Sequence, residues 1–171
     1  HRLIEEFMLL ANETVAEYLE QRGGPAIYRV HEEPDLLKIG QFEEFISGLG
    51  YSLAAPVNAV RPRHFQRLLD RIHGTPEEKP IAFLMLRTMQ KARYAAENLG
   101  HFGLAASCYT HFTSPIRRYP DLVVHRLLRA ARRDQFSADR TTDLEDELPE
   151  VARHCSDMER RADDAERELV Q

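Results

Sequence analysis

Three features of the 171-residue sequence predict an α+β fold in which helices predominate and strands are few and short. Apolar side chains recur at helical spacing over most of the chain. Only brief stretches alternate like strands, and Gly or Pro marks most of the joins. At 43% hydrophobic the chain can support one ordinary core, so residues 1–171 are expected to form a portion of a single domain. The sequence opens on His1 inside an amphipathic pattern, which suggests a fragment with a cut edge. It has neither a run near the ~20 apolar residues of a membrane span nor a basic-then-apolar leader, so a soluble piece is expected.

The first element is a helix over residues 2–21, with Ile4, Phe7, Met8, Ala11, Val15, Tyr18 and Leu19 on a core face. Glu5 flanks that stripe two turns before Asn12, and Gly23-Gly24-Pro25 ends the helix. Residues 26–31 alternate and form a strand candidate. Residues 34–49 carry a second helix through Leu36, Leu37, Phe42, Phe45 and Ile46, and Phe65, Leu68, Leu69 and Ile72 a third. A fourth runs from about Thr75 to Arg87 and is apolar nearly all round, which predicts burial. Residues 90–94 and 101–107 are the other strand candidates. A firm helix carries Leu122, Val123, Leu127 and Leu128, residues 134–142 read as a polar loop, and residues 143–171 form a long charged helix that Pro149 could break.

Chemistry concentrates in residues 109–121. Ser114-Pro115 has the form of a helix entrance, with Ser as cap and Pro at the first helical position. Arg117 and Arg118 then fall in the first turn, where unpaired backbone N–H groups and the positive dipole end favour an anion and each guanidinium adds a planar charged fork. Thr113 and Ser114 add hydroxyls. Pro120 either stops this turn or kinks it into the following helix. A surface ion pair between Arg117 and Asp121 is an equally open reading of the same spacing.

The net charge of −5 conceals a strong alternation. Residues 1–60 carry 4 basic and 10 acidic side chains, residues 61–93 carry 8 and 3, residues 101–140 carry 7 and 3, and residues 141–171 carry 4 and 11. A local basic surface is thus compatible with an acidic whole. Cys108 and Cys155 form no C-x-x-C pair, which argues against a structural zinc site and for a reduced, cytoplasmic setting.

The stretch His101-Phe-Gly-Leu-Ala, followed by Tyr-Thr-His-Phe-Thr-Ser-Pro-Ile-Arg-Arg-Tyr-Pro-Asp-Leu-x-x-His-Arg, resembles the signature of the RNase II / RNase R exoribonucleases. The resemblance extends back to Leu3-Ile-Glu-Glu-Phe-Met-Leu-Leu-Ala-Asn12 and forward to His154-Cys-Ser-x-x-Glu-Arg-Arg-Ala-Asp163, and the Arg-Arg-Tyr-Pro-Asp form is more similar to RNase R. It implies the C-terminal part of an RNB catalytic domain, with short strands completing a sheet begun upstream. It also implies a 3′-to-5′ exoribonuclease that releases nucleoside monophosphates from the 3′ end of single-stranded RNA, with Mg2+ as cofactor and no DNA or membrane partner.

On that resemblance, Arg117 matches the arginine that holds the scissile phosphate, Glu5 an early glutamate and Glu166 a glutamate on the late helix. Arg118, Ser114, Thr113 and His111 become phosphate or sugar contacts by adjacency. The family's metal-binding aspartates lie upstream of everything present here, so no metal ligand is assigned, Asp163-Asp164 included. The piece is therefore expected to be nearly inactive alone, and exposed sheet edges would permit self-association. A non-catalytic RNA-binding relative and a helical protein-interaction domain are the competing expectations.

Overall fold

The computed structural model describes residues 2–170; His1 and Gln171, which the sequence pattern assigns to the terminal helices, lie outside the described residues. Two compact units are distinguished, one formed by residues 1–30, 92–101 and 106–171 and the other by residues 31–91 and 102–105.

In the first unit, α1 (Arg2–Gln21) precedes β1 (Tyr28–Val30), which pairs antiparallel with β2 (Arg93–Ala95) in the register Tyr28–Ala95, Arg29–Tyr94 and Val30–Arg93. α5 (Tyr119–Arg132) and α6 (Ala138–Val170) follow. Ala16, Leu19, Ile27, Val30, Tyr94, Val124, Leu127, Leu148 and Ala152 are buried in one apolar cluster drawn from all of these elements. Both strand edges are partly engaged. Arg29 N donates to Tyr109 O (2.9 Å) on one side of β1, and Tyr94 N donates to Ser156 Oγ on α6 (2.9 Å).

The second unit packs α2 (Leu36–Gly48), α3 (Pro62–Ile72) and α4 (Glu78–Thr88) around Ile39, Phe42, Ile46, Phe65, Leu68, Ile72, Ile81 and Phe102. Asp35 caps α2 by accepting from Leu37 N and Lys38 N, which satisfies two of the orphan donors at that end.

Several expectations are corrected. Residues 101–107 do not form a strand. Ala105 takes a left-handed conformation (φ 55°), a 3₁₀ turn spans Phe102–Leu104, and the chain closes on itself through His101 N to Ala106 O (2.8 Å). Of the two courses open at Pro120 the chain takes the stop: the turn after Ser114 ends and α5 begins at Tyr119, because the Pro120 ring would clash with the carbonyl four residues back if the helix ran through. The loop expected to reach residue 142 ends at Ser137, whose Oγ accepts from Arg140 N (3.3 Å) at the entrance of α6.

α6 is unbroken at Pro149. Pro149 and Glu145, whose carbonyl loses its donor, are both exposed, so solvent can satisfy the freed group. The apolar stripe of α1 is core only in its second half: Ala16 and Leu19 are buried, whereas Ile4 and Phe7 are exposed. Likewise α4 buries Ile81 and Met85 but leaves Phe83 and Leu86 outside.

This division of burial is testable. Ile27 is fully buried, so Ile27→Ala should lower the unfolding free energy by about 2–5 kcal/mol in urea titration. Ile116 is 99% exposed, so Ile116→Ala should stay within about 0.5 kcal/mol of the wild type. Equal losses at the two positions would contradict the packing described.

Candidate active site

Residues 113–118 form a short turn held from inside, with Ile116 and Arg117 exposed at its tip. Arg117 N and Arg118 N both donate to Ser114 O, at 3.3 and 3.1 Å, which makes a single isolated turn over residues 115–117. Arg118 then extends (φ −125°, ψ 118°), and α5 starts at the next residue.

Asp121, in the first turn of α5, reaches back into this loop. Its Oδ1 accepts from Ser114 N (2.8 Å) and from Arg118 Nη2 (2.8 Å), and its side chain is fully buried. A buried carboxylate is costly in isolation. Here it is offset by a charge-assisted bond to Arg118, a backbone N–H and the favourable end of the helix dipole. The ion pair with Asp121 is therefore made by Arg118 and not by Arg117. Capping is also reversed from expectation, since the Ser114 backbone donates to a carboxylate and its hydroxyl does not cap a helix.

Arg117 is left exposed, with no carboxylate partner among the described residues. Thr113 Oγ1, Arg118 Nε and Asp121 Oδ2 are buried without a hydrogen-bond partner, so the loop retains unused polar capacity.

α1 fixes the start of the turn. Buried Asn12 donates from Nδ2 to the Tyr109 hydroxyl (2.8 Å) and accepts at Oδ1 from Phe112 N (3.0 Å). Glu5 is exposed seven residues earlier on the same helix, which at 1.5 Å per residue is about 10 Å along the axis on the same face. His125 Nε2 donates to Phe112 O (2.9 Å), and its ring stacks on Phe112 at 4.1 Å.

His111 sits at the centre of a basic group. Burial, followed by the charges of Arg118, Arg29, His101 and Arg117, pulls its pKa down to about 3, so it is neutral near pH 7. Its Nδ1 shares a hydrogen bond of 2.9 Å with the Tyr94 hydroxyl. A contact from His111 to an anion would therefore be a neutral hydrogen bond rather than an ion pair.

Sequence patterns do not mark Arg29, and they give no role to Glu159, which lies in the segment from His154 to Asp163. Arg29 on β1 lies over the Tyr94 ring (4.7 Å to its centre) and pairs with Glu159 of α6 at 2.6 Å. Glu159, not Glu166, is thus the carboxylate that α6 brings to the cluster. Glu166 lies seven residues further along, on an exposed stretch of the helix. Asp163 and Asp164 are also exposed, and Asp164 pairs with Arg167. Among the described residues no group of three or more His, Cys, Asp or Glu side chains could hold a metal ion.

The contrast between adjacent arginines gives a direct test. Asp121→Ala should cost about 3 kcal/mol in urea titration, near the lower end for a broken buried pair because the Arg118 side chain is 21% exposed. Arg117→Ala should change stability by no more than about 0.5 kcal/mol. A large loss on removing Arg117 would mean that it, too, is structural.

The RNB domain model matches residues 1–134. Ribonuclease R of Aquifex aeolicus is 48% identical over 171 residues, covering 99% of this chain and 24% of the relative. Ribonuclease R of Escherichia coli is 39% identical over 177 residues, covering 99% and 22%. The apo form of Mycoplasma genitalium RNase R superimposes with a TM-score of 0.89 at 35% identity, over 96% of this chain and 26% of that one. Yeast Ssd1, described as a pseudonuclease, does so at 0.76 and 31% identity, over 89% and 19%. The chain spans about a quarter of the length of these relatives or less. With its matched region covering most of the sequence, the chain belongs to the RNB domain family.

Proposed function

We propose that this chain supplies the phosphate-holding side of the active site of a 3′-to-5′ exoribonuclease that hydrolyses RNA to nucleoside 5′-monophosphates in a cytoplasmic setting. The observation that carries the reading is Arg117. It is an always-charged guanidinium without a carboxylate partner among the described residues, on a turn whose other arginine is tied down by a buried aspartate. A fixed positive charge of this kind can hold a scissile phosphodiester and stabilise the charge that develops on its oxygens.

Arg118 serves chiefly to shape the turn, with Asn12 and Asp121. Thr113, Ser114 and neutral His111 are placed to add hydrogen bonds to phosphate or sugar. The relatives' names support the reaction class, and M. genitalium RNase R is described in complex with single-stranded and double-stranded RNA, which supports RNA as the polymer. Glu5, on the helix face that carries Asn12, is the carboxylate assigned a role beside Arg117; on α6 the resemblance assigns that part to Glu166, and the ion pair with Arg29 supports Glu159 as the alternative.

Magnesium does not fit the described residues, which offer no clustered donors, and the reading assigns its ligands to upstream sequence. The chain alone is expected to be nearly inactive.

The second reading, an RNA-binding relative without catalysis, is favoured by the similarity to Ssd1. The two differ in the effect of one substitution. In the full-length protein degrading single-stranded RNA, Arg117→Ala should lower kcat roughly 10²–10³-fold, about 2.7–4 kcal/mol of transition-state stabilisation. Undiminished turnover would remove Arg117 from the mechanism. A wild-type protein that binds RNA without releasing monophosphates would favour the second reading.

A further inference from the structure

Of the two ring nitrogens of His111, one is committed and the other is not. Nδ1 meets the Tyr94 hydroxyl at 2.9 Å, whereas Nε2 has no hydrogen-bond partner among the described residues. The chain on either side is anchored: the Thr110 hydroxyl donates to Ile27 O (2.6 Å), and Phe112 N donates to Asn12 Oδ1 (3.0 Å). The imidazole stands edge to face against Tyr94 (5.6 Å between ring centres) and Tyr109 (6.0 Å), and the Asn12 amide fixes Tyr109 in turn. The charges of Arg118 and Arg117 both act on this ring, so it lies within the field of the turn.

The hydrogen bond between Tyr94 and His111 has a direction. Burial pushes the Tyr94 hydroxyl up to about 12, with Arg29 opposing the rise and Glu159 adding to it, so the phenol keeps its proton. His111 is neutral, and a neutral imidazole donates from one nitrogen and accepts at the other. Were Nδ1–H the donor, the phenolic proton would need a second acceptor, and among the described residues the Tyr94 hydroxyl has none. Tyr94 is therefore the donor, which puts the His111 proton on Nε2.

The donor is itself oriented. Tyr94 N is held by Ser156 Oγ on α6 (2.9 Å), and the Arg29 guanidinium lies 4.7 Å from the centre of the Tyr94 ring, fastened by Glu159 at 2.6 Å. A cation over a phenol ring draws on its electron density, which makes the O–H a better donor. Packing does not call for the hydroxyl, since a Phe ring would fill the same buried place.

We propose that Tyr94 is a positioning residue that fixes the His111 ring as its Nε2–H tautomer, so that Nε2–H donates to an oxygen of the scissile phosphate beside Arg117. The identity of that acceptor rests on the exoribonuclease reading; the tautomer and its cause do not. Tyr94 touches no substrate in this arrangement and acts through His111 alone.

The experiment uses the full-length protein labelled with 15N-histidine, in which two-bond 1H–15N correlations report the nitrogen that carries the proton. At pH 7 the His111 signals should show a protonated Nε2 and an unprotonated Nδ1; a protonated Nδ1 overturns the proposal. Kinetics on single-stranded RNA then separate positioning from packing. Tyr94→Phe, which keeps the ring and the Arg29 contact, should lower kcat roughly 5-fold with KM unchanged, the scale of one neutral hydrogen bond. His111→Gln retains a donor near the Nε2 position without the link to Tyr94, and in that background Tyr94→Phe should change kcat by no more than about 2-fold. An unchanged kcat in Tyr94→Phe, or an equal loss in both backgrounds, overturns the proposal, the latter making Tyr94 a structural residue. An Nε2–H tautomer with the expected Tyr94 effect, alongside full turnover in Arg117→Ala, would leave the positioning role standing and fail the phosphate reading, so the two are separable.

Discussion

The turn depends on one buried carboxylate. Asp121 is inaccessible to solvent, and its Oδ1 gathers the Ser114 N–H and the Arg118 guanidinium from opposite ends of the segment. Because α5 starts at Tyr119, Asp121 lies in its first turn, where the dipole favours a negative charge. The segment between those anchors has little freedom left. Arg118 is drawn inward, and residues 115–117 are pushed outward, with Ile116 almost wholly exposed beside Arg117. Two consecutive arginines thus acquire different work from a single ion pair.

The remainder of the first unit extends this anchoring. Asn12 fastens the Tyr109–Phe112 stretch to α1, the Thr110 hydroxyl donates to Ile27 O (2.6 Å), and Arg29 N donates to Tyr109 O, so the segment leading into the turn lies along β1. Arg29, held between Tyr94 and Glu159, brings α6 to the same place. Burial, together with the field of Arg118, Arg29, His101 and Arg117, keeps the His111 imidazole neutral.

Much of this is legible in the sequence, for identifiable reasons. Helical periodicity locates α1, α2, α3 and the body of α5, and the motif around Arg117 carries the family. What escapes depends on long-range contacts. A lone arginine in a three-residue strand has no pattern to mark it, so Arg29 is invisible to sequence reasoning. Glu159 and Glu166 are seven residues apart and share nearly the same helix face, so periodicity does not distinguish them, and the pairing of Glu159 with Arg29 is a long-range contact that no spacing announces. The choice of Arg118 over Arg117 as the partner of Asp121 goes with the extended conformation of Arg118 at the entrance of α5, and i,i+4 spacing points the other way. The exposed first half of α1 shows a similar limit, because an apolar stripe records a preference for burial without naming what buries it.

The central claim is that Asp121 immobilises Arg118 and thereby leaves Arg117 free for phosphate. It is tested most directly by 15N relaxation of the arginine Nε–H groups. Arg118 should have an order parameter near the rigid range, about 0.85, and Arg117 one below about 0.6. A rigid Arg117, or an Arg118 as mobile as the arginines on the exposed face of α5, would contradict the account.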